Sequence, residues 1–287
     1  MASHPSPRPS RLSKGLEALV LHYDTPEALT LDPLQIVLDY AAPDQELVAW
    51  VAAALAYGRV APMIRAIRSA LAPLGPQPAT WVRTHSAAQI RKMLQQALHA
   101  WVWRFHTAAD LTEWVLAWKT LDARDGVESH FLPAQGEDAQ RAFSRVMQDL
   151  RKALPATYGL RFSLPDPLEG SACKRWRLFL RWMVRTEWPD LGLWTRYPAR
   201  DLLIPVDTHV ARVARYVGLS QRSTPDGKMA QEITEALQRI SPEDPLRFDF
   251  ALSHLGILGD CPGVRQMPHC KPCPLQTVCR AGQKKPG

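Results

Sequence analysis

The chain lacks any uninterrupted apolar run of membrane-spanning length. Its most apolar stretch, Leu47 to Leu55, is short and ends at Tyr57-Gly58-Arg59, whereas a spanning helix needs about 20 apolar residues. No membrane partner is expected. The stretch Met1 to Lys14 carries Pro, Ser and Arg but no apolar segment followed by a small-residue cleavage site, so secretion has no support and a cytoplasmic location is expected. Strand-type alternation is scarce and no internal repeat is found, which argues against a mainly β fold and against a solenoid. Acid is in deficit: 28 Asp+Glu face 35 Lys+Arg, a formal +7 over 287 residues. That balance biases the surface toward phosphates or acidic membranes rather than basic partners. A disulfide framework is not needed either, because a chain of this length buries a core without staples, and its five cysteines suit a reducing compartment and a metal better.

What the sequence has in quantity is helical spacing. Leu47, Val48, Val51, Ala54 and Leu55, then Met63, Ile64, Ile67 and Leu71, then Leu111, Trp114, Val115 and Trp118 each fall on one helical face. Further helices are read at 139–153, 172–185, 208–217, 229–240 and 246–258. Pro and Gly mark the joints, as at Pro73-Leu74-Gly75-Pro76 and Pro165-Asp166-Pro167. The fold class is therefore all-α. Trp50, Trp101, Trp114 and Trp118 sit at helical spacing and read as core residues. Residues 1–13 and Gln283 to Gly287 read as basic tails without fixed structure.

Four of the five cysteines form one string, Cys261-x8-Cys270-x2-Cys273-x5-Cys279. Soft thiolates at such spacing select an iron–sulfur cluster or zinc. Structural zinc usually takes two tight C-x2-C pairs, and only one is present, so a [4Fe–4S] cluster is expected with zinc as the alternative. Arg265, Lys271 and Arg280 surround the loop and could offset a cluster's negative charge or touch a DNA backbone. A solvated basic surface is the plain alternative.

Two further strings accompany the quartet: Leu203-Ile204-Pro205-Val206-Asp207-Thr208-His209-Val210-Ala211-Arg212-Val213 and Ser253-His254-Leu255-Gly256-Ile257-Leu258-Gly259-Asp260-Cys261. Together the three resemble the endonuclease III-like, iron–sulfur branch of the helix-hairpin-helix (HhH-GPD) DNA glycosylases, and look closest to an uncharacterised bacterial family within it. The resemblance runs from about residue 170 to 279 and is vague before that. It implies base excision, with Asp207 at the reacting sugar, where a carboxylate stabilises developing positive charge or accepts a proton. Asp207 also reads as the N-cap of the following helix. The same comparison aligns Gly170-Ser171-Ala172-Cys173-Lys174 with the end of the family's hairpin and makes Lys174 the candidate nucleophilic amine of a bifunctional enzyme.

Ser171 is expected to cap a helix starting at Ala172, which would put Lys174 in its first turn, where the macrodipole disfavours a cation. At about 100° per residue, Lys174, Arg177, Arg181 and Arg185 share one side of that helix, while Ala172, Trp176, Phe179 and Met183 share the other. The basic row is expected to contact DNA, the default for such a row being a solvated face. Cys173 reads as a small buried apolar residue. The sequence departs from the family's pattern in three places. The hairpin's Leu-Pro-Gly-x-Gly is replaced by Pro167-Leu168-Glu169-Gly170-Ser171, Thr186 to Leu203 is an insertion, and Tyr57 or Arg59 stands where a gap-filling glutamine is otherwise found.

The resulting expectation is a two-lobed helical HhH-GPD-like fold with a C-terminal cluster loop. A disordered tail (1–13) precedes an N-terminal helix (14–41) that packs on the C-terminal lobe (201–287), and a middle lobe (42–200) carries the divergent hairpin. Expected catalytic residues are Asp207 and Lys174; Cys261, Cys270, Cys273 and Cys279 are the expected metal ligands. Arg177, Arg181, Arg185, Arg265 and Lys271 are the expected DNA contacts. The partner would be double-stranded DNA with a flipped-out base, met by a monomer in a bacterial cytoplasm at the nucleoid. Two other readings stand beside a glycosylase with AP-lyase activity: a monofunctional glycosylase using Asp207 and water, and a non-catalytic iron–sulfur DNA-binding protein.

Overall fold

The computed structural model describes residues 10–283. Ser10 already caps a helix, its side chain accepting from Ser13 N at 3.0 Å. Residues 11–13, expected to be a tail, are therefore the first turn of α1 (Arg11–Tyr23), because a Ser at this position satisfies an otherwise orphaned amide. The rest of both expected tails, residues 1–9 and 284–287, lies outside the described residues. Then follow α2 (Pro26–Leu29), α3 (Leu34–Leu38), α4 (Ala42–Leu55), α5 (Val60–Leu71), α6 (Pro78–Thr84) and α7 (Ala87–Ala97). A two-residue hairpin, β1 (Val102–Trp103) with β2 (His106–Thr107), pairs antiparallel. It leads into α8 (Ala108–Asp122), α9 (Val127–Phe131), α10 (Ala139–Ala153) and α11 (Tyr158–Ser163). The C-terminal part contains α12 (Lys174–Val184), α13 (Thr208–Val217), α14 (Gly227–Gln238), α15 (Asp249–Ile257), α16 (Met267–Cys270) and α17 (Arg280–Gln283). The chain is all-α, and no described helix is long and apolar enough to cross a membrane.

Helix α4 has no polar face from Leu47 to Leu55, and each of those residues is buried. A helix apolar all round has to be covered on every side, and α3, α5, α6, α8 and α12 cover it. Trp50 is the centre of this packing: its Nε1 donates to Trp114 O at 3.0 Å, and its ring lies 4.6 Å from Trp176 and 5.6 Å from Phe179. Trp114, Trp118, Trp176 and Phe179 are likewise fully buried. Buried aromatic rings in offset and edge-on contact contribute beyond their area. The core thus grips α12, the helix that presents Lys174.

The stretch 186–203, expected to be an insertion, closes over the far end of α12. Leu191 N donates to Trp182 O and Trp194 N to Met183 O, both at 2.8 Å, and buried Trp194 reaches Glu46 Oε1 at 2.7 Å. On the other side α13 packs on α15, and α1 packs on α15 and on the 3-10 turn Pro245–Phe248. A Cβ on Gly15 would stand 2.9 Å from Pro274 O, so α1 lets the cysteine loop pass only with glycine there.

Candidate active site and cysteine loop

Helix α12 begins two residues later than the sequence suggests. Cys173 adopts a left-handed backbone (φ 47°, ψ 34°) at the cap position, a conformation rare outside Gly and Asn, and Ser171 Oγ accepts from Cys173 N at 3.2 Å instead of capping a helix at Ala172. The loop is held from below, where Gly227 N donates to Gly170 O at 2.9 Å. The result places Lys174 at the first helical position, within the expected first turn, with its side chain 40% exposed.

Across from it, Asp207 caps α13. Its Oδ1 accepts from His209 N at 2.9 Å and Val210 N at 2.8 Å, leaving Oδ2 free to face Lys174 Nζ at 3.3 Å. One oxygen anchors the carboxylate at a positive helix end; the other is available to a reacting group. The two residues singled out from separate sequence strings therefore meet, and they do so at a cavity of about 160 Å³. Tyr57, Gly58, Lys174, Asp207, His209 and Asp249 line it, with Asp32 and Arg181 contributing further polar atoms. Lys174, Tyr57 and Gly58 also line a wider groove of about 540 Å³ with Phe162 and Ser171, so the lysine stands on a shared rim. Tyr57 is tied inward, its hydroxyl donating to Trp103 O at 3.0 Å and lying 2.7 Å from His106 Nδ1; Arg59 remains exposed.

The basic row on α12 is internal, which corrects its expected contact with DNA. Arg177, Arg181 and Arg185 are 2%, 1% and 3% exposed. Arg181 Nε donates to Asp190 Oδ1 at 3.1 Å and Nη1 to Asp249 Oδ2 at 2.5 Å. Arg185 pairs with Asp190 and, at 2.8 Å, with Asp244. Burial opposes the Arg181 charge, but Asp190 and Asp249 outweigh it and hold the guanidinium more firmly protonated. Arg177 has no carboxylate: Nη2 donates to Gln140 Oε1 at 3.0 Å, and burial pushes its guanidinium down to about 10. Helical phase shows which residues share a side, and here Asp190, Asp244 and Asp249 allow the charges of Arg181 and Arg185 to be buried.

Sequence reasoning missed Asp249. Its carboxyl is pushed up to about 6, first by burial, against the pull of Arg181 and with the added repulsion of Asp207. The available signal was a lone carboxylate between Phe248 and Phe250 in an apolar stretch, a residue type seldom buried unless paired. Asp190, inside the inserted Trp188 to Trp194, carries the same signal.

The four cysteines of the string line one small cavity beside Tyr216 and Gly263. The Cys273 thiol is pushed up by burial and, despite a hydrogen bond from the Leu275 backbone, by the neighbouring Cys279, Cys261 and Cys270. Among the described residues, no trio of His, Cys, Asp or Glu side chains is drawn together as ligands of a single ion. The loop is fastened to both helices of the site: Cys261 N donates to Leu255 O at 2.8 Å, Arg212 Nη2 to Cys261 O at 2.9 Å, and Tyr216 hydroxyl to Gly263 O. Tyr23 hydroxyl closes the near side on Asp260 at 2.8 Å. Lys271 is exposed and Arg265 half-buried at its surface. Helices α13 and α15 touch where a Cβ on Gly256 would stand 2.5 Å from His209 Nδ1.

All of the cavity's lining residues but Leu31 fall within a family match over residues 32–258, to the family described as "Protein of unknown function (DUF2400)". The chain belongs to this family. The DUF2400 match ends before Cys261, so it contains Lys174, Asp207 and Asp249 but not the cysteine loop. Over 84 residues the chain is also 33% identical to Endonuclease III of Bacillus subtilis (strain 168). That match covers 29% of this chain and 35% of that protein, so the chain spans about a third of this relative's length. No solved structure matches.

Proposed function

We propose that this chain is a DNA base-excision glycosylase with AP-lyase activity, on a two-lobed fold of the HhH-GPD superfamily. The observation that carries the reading is Lys174 Nζ at 3.3 Å from Asp207 Oδ2 on the rim of a cavity. The partial likeness to Endonuclease III supports it at the level of the superfamily. A base turned out of the duplex would occupy the cavity while its strand lies along the wider groove. Asp207 Oδ2 accepts a proton from Lys174, and the neutral amine attacks the anomeric carbon of the deoxyribose. The new N–C bond forms as the glycosidic bond breaks, its electron pair leaving with the base, which takes up a proton. The nitrogen lone pair then forms the C=N bond of the Schiff base as the ring C–O bond breaks, its pair leaving with the ring oxygen, which becomes a hydroxyl by taking up a proton. Removal of the proton next to the C=N bond forms a C=C bond as the phosphate leaves and nicks the strand.

Cys261, Cys270, Cys273 and Cys279 would hold a [4Fe–4S] cluster, with zinc as the alternative. One C-x2-C pair where structural zinc usually takes two, with all four thiols lining one cavity, supports the polynuclear group over a single ion. When bound, the cluster supplies order to the loop, and Lys271 and Arg265 at its surface would meet the phosphate backbone. The protein would act as a monomer in the cytoplasm, at the nucleoid.

Incubation with duplexes carrying damaged bases or an abasic site, followed by borohydride trapping, tests the reading. A covalent adduct lost in Lys174→Ala is the expected result. Base release without an adduct would favour the monofunctional reading, in which Asp207 Oδ2, the oxygen not used in capping, would activate water. DNA binding with neither outcome would leave a non-catalytic protein.

A further inference from the structure

Buried polar atoms are almost always paired, and each exception calls for an explanation. Two exceptions belong to residues that line the cavity under Lys174 and Asp207: Asp249 Oδ1 and Arg181 Nη2 have no hydrogen-bond partner among the described residues. Both side chains are at least nine-tenths buried, at 2% and 1% exposed. They are already joined to each other through Arg181 Nη1 and Asp249 Oδ2 at 2.5 Å, so the orphaned acceptor and the orphaned donor belong to one rigid pair.

Pairing with Arg181 engages only Oδ2 of Asp249. Asp190 uses both oxygens, Oδ1 on Arg181 and Oδ2 on Arg185, and Arg185 has Asp244 besides. Of the three carboxylates hydrogen-bonded to the two arginines, Asp249 is the one that leaves an oxygen unused. A buried carboxylate oxygen is costly unless something supplies a donor to it.

We infer that Asp249 and Arg181 read the edge of the excised base, and that the base is of the lactam type, with a ring N–H beside a carbonyl. Asp249 Oδ1 accepts the ring N–H and Arg181 Nη2 donates to the carbonyl oxygen. Uracil, dihydrouracil and hypoxanthine carry this edge; methylation of the ring nitrogen removes its donor and places a methyl group against a carboxylate. A buried donor–acceptor pair of this kind rejects an analogue that leaves its polar atoms unpaired. The inference rests on the glycosylase reading and names the substrate class of that site.

The experiment compares wild-type base release from duplexes carrying uracil, dihydrouracil or hypoxanthine with release from their ring-N-methylated counterparts, with an alkylated adenine and an abasic site as further arms. Release of a lactam base is expected to fall roughly 10- to 100-fold on methylation, the range of one bidentate base contact. Asp249→Asn is expected to slow lactam-base release by a similar factor more than it slows nicking at the abasic site, where no base is read. Equal rates on methylated and unmethylated bases would overturn the inference. So would equal loss on base and abasic duplexes in Asp249→Asn, since that marks a structural role. Activity confined to the alkylated adenine or to the abasic site overturns the base class while the glycosylase or lyase reading stands. Inactivity on every duplex, the abasic one included, removes that reading and this one with it. The methylation arm uses the wild-type protein and does not depend on the variant's folding.

Discussion

The cysteine loop and the cavity are assembled in opposite ways. The loop takes all four thiols from one stretch, Cys261 to Cys279, and has little core of its own: of its residues only Leu275 is fully buried. Its order comes from being fastened to α1, α13 and α15 by Tyr23, Arg212, Tyr216 and the Cys261 amide. The cavity takes its polar atoms from five separate stretches, around Asp32, Tyr57, Lys174, Asp207 and Asp249, and its floor is an internal charge network. A local motif with borrowed rigidity should fail locally. A distributed site on a buried ion network should fail with the fold.

The largest expected effect lies at the cavity rim. Lys174→Ala should abolish the trapped adduct while changing stability by no more than about 0.5 kcal/mol, as for other exposed positions outside special features; an undiminished adduct would remove Lys174 from the chemistry. Asp207→Asn should slow base release by about a hundred- to a thousand-fold, as expected when charge stabilisation at the reacting centre is lost. A mild effect there would mean that the carboxylate is chiefly a cap.

Next comes the floor. Asp190→Ala leaves two buried guanidiniums short of a partner and should cost about 3–5 kcal/mol in urea unfolding. Cys273→Ser should instead act locally: amide exchange should quicken across 261–279 while α4 and α12 stay protected, and the absorption of the proposed iron–sulfur cluster should be lost. If both variants unfolded the whole chain alike, the contrast between the two regions would collapse.

The smallest effect is a pH dependence. Burial raises Asp249 from 3.8 to about 6, so the folded chain binds this proton more tightly than the unfolded one. Its contribution to stability is fully present below about 3.8 and is lost as pH rises through about 6. Unfolding of Asp249→Asn, compared with wild type at intervals across that window, should show a flatter profile.

The contrast also explains what was legible. Helices 139–153 and 208–217 have the bounds expected from apolar spacing and cap chemistry, because both signals are local. Asp207 as a cap was legible for the same reason, and its approach to Lys174 came only through resemblance to a family. The burial of Arg177, Arg181 and Arg185 was not legible. A row of like charges at helical spacing has the same pattern on a wet face as against Asp190, Asp244 and Asp249, which lie 5 to 68 positions away along the chain from the arginines they pair with. Asp249 stayed hidden for the converse reason: one carboxylate in an apolar helix gives no sign of where its partner sits.

Gly256 ties the two regions together. With the His209 ring seated where its side chain would be, α13 and α15 have no clearance to slide past one another at that level. One turn along α13 lies Arg212, bound to the Cys261 carbonyl; just before His209 lies Asp207. The pair of helices therefore behaves as a lever with the cysteine loop on one arm and the carboxylate on the other. Strain introduced by refolding the loop has a rigid route to the cavity rim, and a single methyl group at position 256 would jam it.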